Sequence, residues 1–148
     1  MHSGYDDEPG LEFVVTVTLI VSDIARSVAF YRDVLGATVL RESEALLPAF
    51  LRLGNVWLTI NLGGGPTDDK PEVIAIPPRD RSALSIFLNL RVNDMARFYE
   101  RWRTRGATFV TEPKIHATEK RCYIRDPDGY LIEVGETTVT AAPLELYQ

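Results

Sequence analysis

A chain of 148 residues is the size of one compact domain, or of two small modules sharing a core. Its 45% hydrophobic and 25% charged residues are ordinary for a globular protein, and a net charge of −5 argues against nucleic acid, which needs a basic face to displace counterions. The single cysteine excludes an internal disulfide and no apolar run is long enough to span a bilayer, so the expectation is a cytoplasmic protein with no membrane partner.

Residues 1–12, MHSGYDDEPGLE, are acidic and polar, with neither the basic start nor the apolar stretch of a signal peptide, and read as a flexible arm. From Phe13 to Val21 the chain alternates. Val15, Val17, Leu19 and Val21 form one apolar face and Thr16 and Thr18 the other, which predicts a strand packed on one side. Ser22 then offers a helix cap and Asp23 a negative charge at the helix start. Ile24, Val28, Tyr31 and Leu35 share a helical face, and Gly36 suits the left-handed terminus. Strand candidates follow at Ala37–Arg41, Ala49–Leu53 and Val56–Leu62. Gly63-Gly64-Gly65-Pro66 opens a Gly- and Pro-rich linker to Pro77-Pro78, with a possible short strand at Val73–Ile76.

The chain then repeats itself. Val21-Ser22-Asp23-Ile24-Ala25-Arg26 returns 71 positions later as Val92-Asn93-Asp94-Met95-Ala96-Arg97, and Gly36-Ala37-Thr38 returns 70 later as Gly106-Ala107-Thr108. Ile86, Leu88, Leu90 and Val92 form the second apolar strand face, opposite Ser85, Phe87 and Asn89. Asn93 is read as the cap, and Met95, Tyr99 and Trp102 line the helix. Strands are expected at Ala107–Thr111, Arg121–Arg125 and Tyr130–Val134, with a type I turn at Asp126-Pro127-Asp128-Gly129. The fold class is therefore α+β: an arm (1–12), a first βαβββ module (13–62), a linker (63–83), a second module (84–135) and a tail (136–148).

A doubled βαβββ module carrying Val21-Ser22-Asp23, Phe30-Tyr31-Arg32-Asp33-Val34-Leu35-Gly36 and Arg125-Asp126-Pro127-Asp128-Gly129-Tyr130-Leu131-Ile132-Glu133 resembles the vicinal-oxygen-chelate superfamily. This group includes glyoxalase I, extradiol dioxygenases, fosfomycin-modifying enzymes and bleomycin-binding proteins. The resemblance implies a cup-shaped mixed sheet, a homodimer, and a metal held by first- and last-strand side chains. The implied ligand positions here are Thr16, Thr59, Phe87 and Glu133. Only Glu133 is a strong donor, since a Thr hydroxyl binds Zn, Ni or Fe(II) poorly and Phe has no donor atom. The only histidines are His2 and His116. The expectation from this donor set is no cofactor, with a divalent metal (Zn, Ni, Mn or Fe) disfavoured and Glu133 a ligand only of an atypical site.

Parity turns Leu131 and Glu133 away from the helix. Buried carboxylates are rare unless paired, so Glu133 reads either as a general base or ligand anchor, or as the partner of Arg52, Arg91 or Arg121. His116 reads either as an acid/base group or as an exposed loop residue. Tyr123 lies where the fosfomycin-modifying relatives place a substrate-contacting tyrosine, and Arg121 and Arg125 share its face. Trp57, Phe87, Asn61, Asn89, Thr16, Thr18 and Thr59 complete an aromatic and polar set that fits a small-molecule pocket. Cys122 turns toward the helix and reads as a buried inert thiol. The expected function is binding of an organic molecule at a glyoxalase/bleomycin-resistance-like site between the modules. The alternatives are a lactoylglutathione-lyase-like lyase or isomerase, proton abstraction by Glu133, and a structural dimer. The same donor count disfavours an extradiol dioxygenase.

Overall fold

The computed structural model describes residues 10, 12–45 and 47–139; most of the acidic arm, including His2, and the end of the tail lie outside these. The chain forms two compact units, 1–77 and 78–148.

In the first unit, β1 (Thr16–Val21) leads into helix α1 (Ile24–Ala29), and β2 (Thr38–Arg41), β3 (Ala49–Leu53) and β4 (Val56–Leu62) follow. The sheet order is β1-β4-β3-β2, with β1 parallel to β4 and the other neighbours antiparallel. Period-two alternation buries Leu19, Val21, Leu51, Leu58 and Ile60 on the helix side, where Val28 and the fully buried Tyr31 pack.

The second unit repeats the plan: β5 (Leu88–Arg91), α2 (Met95–Thr104), β6 (Thr108–Phe109), β7 (Lys114–Ile115), β8 (Glu119–Arg125) and β9 (Leu131–Thr137). Its order is β5-β9-β8-β6, with β7 pairing β8 and β5 parallel to β9. Cys122, Ile124, Ile132 and Val134 are buried on the helix side with Met95 and Trp102. Cys122 Sγ lies 3.7 Å from Met95 Sδ, and burial pushes its thiol up to about 11.

Several boundaries differ from the sequence reading. The caps are Asp23 and Asp94, one residue later than Ser22 and Asn93. Each aspartate has extended backbone and accepts from the amide of Arg26 or Arg97 at 3.0 Å. The first strands begin at Thr16 and Leu88 rather than Phe13 and Ser85, leaving Phe13, Val15 and Ile86 75%, 72% and 83% exposed. Val73–Ile76 forms no strand; Ala75 makes only an isolated bridge to Gly64. β6 has two residues, β7 is an addition, β8 starts at Glu119 and β9 runs to Thr137.

The repeat shifts from 71 to 70 positions because the first helix holds one residue more. After Ala29 it widens into a π turn over Phe30–Val34. The closing bond accordingly runs from the Ala37 amide to the Tyr31 carbonyl in the first copy, and from Ala107 to Trp102 in the second. The extra residue lets Val34 and Leu35 join Tyr31 in the core, whereas the corresponding turn of α2 is exposed.

Candidate functional site

The faces of the two sheets turned away from their helices carry the polar residues, and the register arranges them in rows. In the first sheet Thr16 lies opposite Trp57, Thr18 opposite Thr59, and Thr59 in turn opposite Phe50. Asn61 neighbours Ile20. Beside the start of β1 is an open, largely apolar cleft of about 520 Å³, with Phe13, Val15, Val17, Val56 and Trp57 in its wall.

In the second sheet Asn89 lies opposite Glu133, and Glu133 opposite Tyr123. Glu133 is 6% exposed. The Tyr123 hydroxyl is 3.5 Å from Glu133 Oε1, and Arg121 Nε is 3.7 Å from the same oxygen. Both contacts are long, so this buried carboxylate is only loosely satisfied. Burial raises the pKa of Tyr123, and the neighbouring Glu133 charge adds to the shift, so the phenol stays protonated at neutral pH and can donate a hydrogen bond. Phe87 lies just before β5, not within it, with its ring 6.4 Å from that of Tyr123, edge to face.

Glu119 completes the row of charges. Its Oε1 accepts from Arg121 Nη1 at 2.9 Å and its Oε2 from Arg91 Nη2 at 3.0 Å, and Arg91 Nη2 also donates to Thr137 Oγ1 at 2.9 Å. Arg91 lies flat across the sheet because its neighbour in β9 is Gly135, where a Cβ would collide with the guanidinium. Burial pushes the Glu119 carboxyl up, but the hydrogen bonds and charges of Arg91 and Arg121 outweigh it and leave the pKa below the ordinary 4.5.

The structure thus brings Glu133, Tyr123, Arg121, Asn89 and Phe87 together on one sheet. His116 is exposed in the turn between β7 and β8, where its backbone amide donates to the Glu119 carbonyl. Arg125 is tied to the carbonyls of Gly129 and Arg81 at 3.0 and 2.9 Å, bracing the loop beside it. The role of Glu119 was not legible, because strand β8 was expected to begin two residues later. The alternation of Glu119, Arg121 and Tyr123 at period two was the available signal.

The family model for the Glyoxalase/Bleomycin resistance protein/Dioxygenase superfamily matches residues 14–134. Metallothiol transferase FosB of Staphylococcus haemolyticus is 32% identical over 122 residues, covering 80% of this chain and 78% of that protein. Glutathione transferase FosA of Serratia marcescens is 25% identical over 125 residues, covering 84% and 81%. A glyoxalase/bleomycin resistance protein/dioxygenase from Nocardioides superposes with a TM-score of 0.67 at 21% identity, covering 93% and 91%, a likeness of fold.

These relatives overturn the expectation of a protein without a cofactor, since the FosB proteins are named as metallothiol transferases. The donors of this chain do not reproduce such a site: among the described residues no group of three or more His, Cys, Asp or Glu side chains is placed to hold a metal ion. Of the ligand positions that the resemblance implies, Thr16 lies in β1, Phe87 just before β5 and Thr59 in β4, and Glu133 is the one carboxylate. The repeated βαβββ sheets, the match over 14–134 and the FosB likeness together place this chain in the Glyoxalase/Bleomycin resistance protein/Dioxygenase superfamily, whose members bind or modify small molecules.

Proposed function

We propose that this protein binds a small organic molecule on the open face of its second sheet, with Glu133 and Tyr123 as polar anchors and Phe87 and Asn89 beside them. The observation that carries this reading is the state of Glu133. It is almost fully buried, yet its contacts, at 3.5 and 3.7 Å, both fall on one oxygen. A carboxylate desolvated this far is costly unless a partner supplies hydrogen bonds. An organic ligand bearing an N–H or O–H donor would supply them, while the Phe87 and Tyr123 rings cover its apolar body. The first-sheet set of Thr16, Thr18, Trp57, Thr59 and Asn61 offers a second, neutral surface for such a molecule. The protein would act as a cytoplasmic homodimer, the assembly that the superfamily resemblance implies.

A catalytic reading draws on the same carboxylate. The relatives named as transferases support a modifying activity, in which Glu133 moves a proton and Tyr123 donates to developing negative charge. The test is a screen of polar organic molecules by calorimetry, with and without added Mn²⁺, followed by mass spectrometry of the ligand. A bound compound should lose at least about tenfold in affinity in Glu133→Gln and severalfold in Tyr123→Phe. Equal affinity in wild type and both variants would refute the site. Conversion of the ligand by wild type but not by Glu133→Gln would establish the catalytic reading.

A further inference from the structure

The solvent face of α2 carries charge that the fold does not use. Arg97, Arg101 and Arg105 recur every fourth residue and so form one stripe. Phe98 lies between the first two, with the Arg97 guanidinium 5.1 Å and the Arg101 guanidinium 4.8 Å from its ring centre. None of the three arginines has an ion-pair partner among the described residues, whereas Arg103 is paired with Glu100 at 2.8 Å.

Two observations separate this stripe from an ordinary solvated helix. Like charges at this spacing repel and weaken the helix. The helix dipole rewards Arg101 and Arg105 near the C-terminus but disfavours Arg97 in the first turn. The internal repeat also supplies a control. The positions in α1 and its π turn that match Arg97, Phe98, Arg101 and Arg105 are Arg26, Ser27, Phe30 and Val34. Arg26 there donates to Ser22 Oγ at 2.8 Å, and Ser27 and Val34 are buried. The module therefore folds without the stripe.

We infer that the Arg97–Phe98–Arg101–Arg105 stripe docks an acidic peptide segment, and that its occupant is the Tyr5-Asp6-Asp7-Glu8 stretch of a second copy of this chain. Charge complementarity assigns it. Residues 1–12 hold Asp6, Asp7, Glu8 and Glu12 with no Lys or Arg, in a chain of net charge −5. Three consecutive carboxylates match three guanidiniums, each able to take a carboxylate bidentately, and Tyr5 can lie against Phe98.

The test uses the full chain. Protein spin-labelled at Ser3→Cys is mixed with ¹⁵N-labelled protein lacking the label, and paramagnetic broadening of backbone amides is read in the second population. The buried Cys122 stays unmodified. Broadening should concentrate on Arg97–Arg105, fall severalfold between about 50 and 500 mM salt, and vanish when the ¹⁵N copy carries Arg97→Glu and Arg101→Glu. It should return when the spin-labelled copy carries Asp6→Lys, Asp7→Lys and Glu8→Lys. Arg103→Glu, off the stripe, should leave it intact. Unbroadened α2 amides, broadening indifferent to the charge reversal, or broadening only within a chain bearing both labels would each overturn the proposal.

Discussion

The two open sheet faces occupy the same backbone rows and carry opposite chemistry. The central row of the first sheet is Thr18, Thr59 and Phe50; the same row of the second is Asn89, Glu133 and Tyr123. The next row holds Ile20 and Asn61 in one case and Arg91, Gly135 and Arg121 in the other. The helix-facing rows of both are apolar. The fold thus depends on one face of each sheet, which leaves the other face free to diverge. One copy keeps neutral side chains on this face. The other assembles a run of alternating charge, Arg91–Glu119–Arg121–Glu133, in which each group depends on its neighbours.

That dependence can be broken. Glu119→Ala should have the largest effect, a loss of about 3 kcal/mol in urea unfolding, because it leaves Arg91, whose side chain is 14% exposed, without its carboxylate. Glu119→Gln gives the pH signature. The Glu119 pKa lies below 4.5 in the folded protein, so its contribution is complete above that pH and is lost as pH falls through the lower folded value. Wild-type stability should therefore drop more steeply than that of Glu119→Gln on acidification below about pH 4.5.

Gly135→Ala should cost about 2 kcal/mol by lifting Arg91 off Glu119 and Thr137, whereas Asn61→Ala, at the matching place in the first sheet, should stay within about 0.5 kcal/mol. A transplant sharpens the contrast. Thr59→Glu with Phe50→Tyr places the Glu133–Tyr123 pair where no arginine network supports it, since Arg52 already donates to the Gly54 carbonyl at 3.0 Å. The double variant should lose about 2 kcal/mol. Glu133→Gln should change stability by under about 1 kcal/mol, since its two contacts are long and the amide retains the shape. Its ligand affinity is where a large change is expected.

The helix-facing parity of β1, β4, β8 and β9 and the burial of Cys122 were legible, because strand alternation is a local, period-two property. The hairpin of β7 with β8 and the late start of β5 were not. Lys114-Ile115 and Ser85-Ile86-Phe87 have similar strand-like character, and only the availability of a hydrogen-bonding neighbour makes the first a strand and leaves the second outside one. The caps were misplaced by one residue because Ser22, Asn93, Asp23 and Asp94 are all competent acceptors; backbone geometry at the strand exit selects the aspartates.

By itself the sequence determined the doubling of the module, the faces that must be buried and the residues of the open faces, since these follow from covalent periodicity and the aversion of apolar groups to water. The tertiary structure decided which charges meet. Arg91 and Glu119 are 28 residues apart and Arg91 and Thr137 are 46. They come together because β9 is shared by β5 and β8, and because Gly135 leaves the space in which an arginine can lie flat. Electrostatic partnership depends on distance and burial, and strand register sets both.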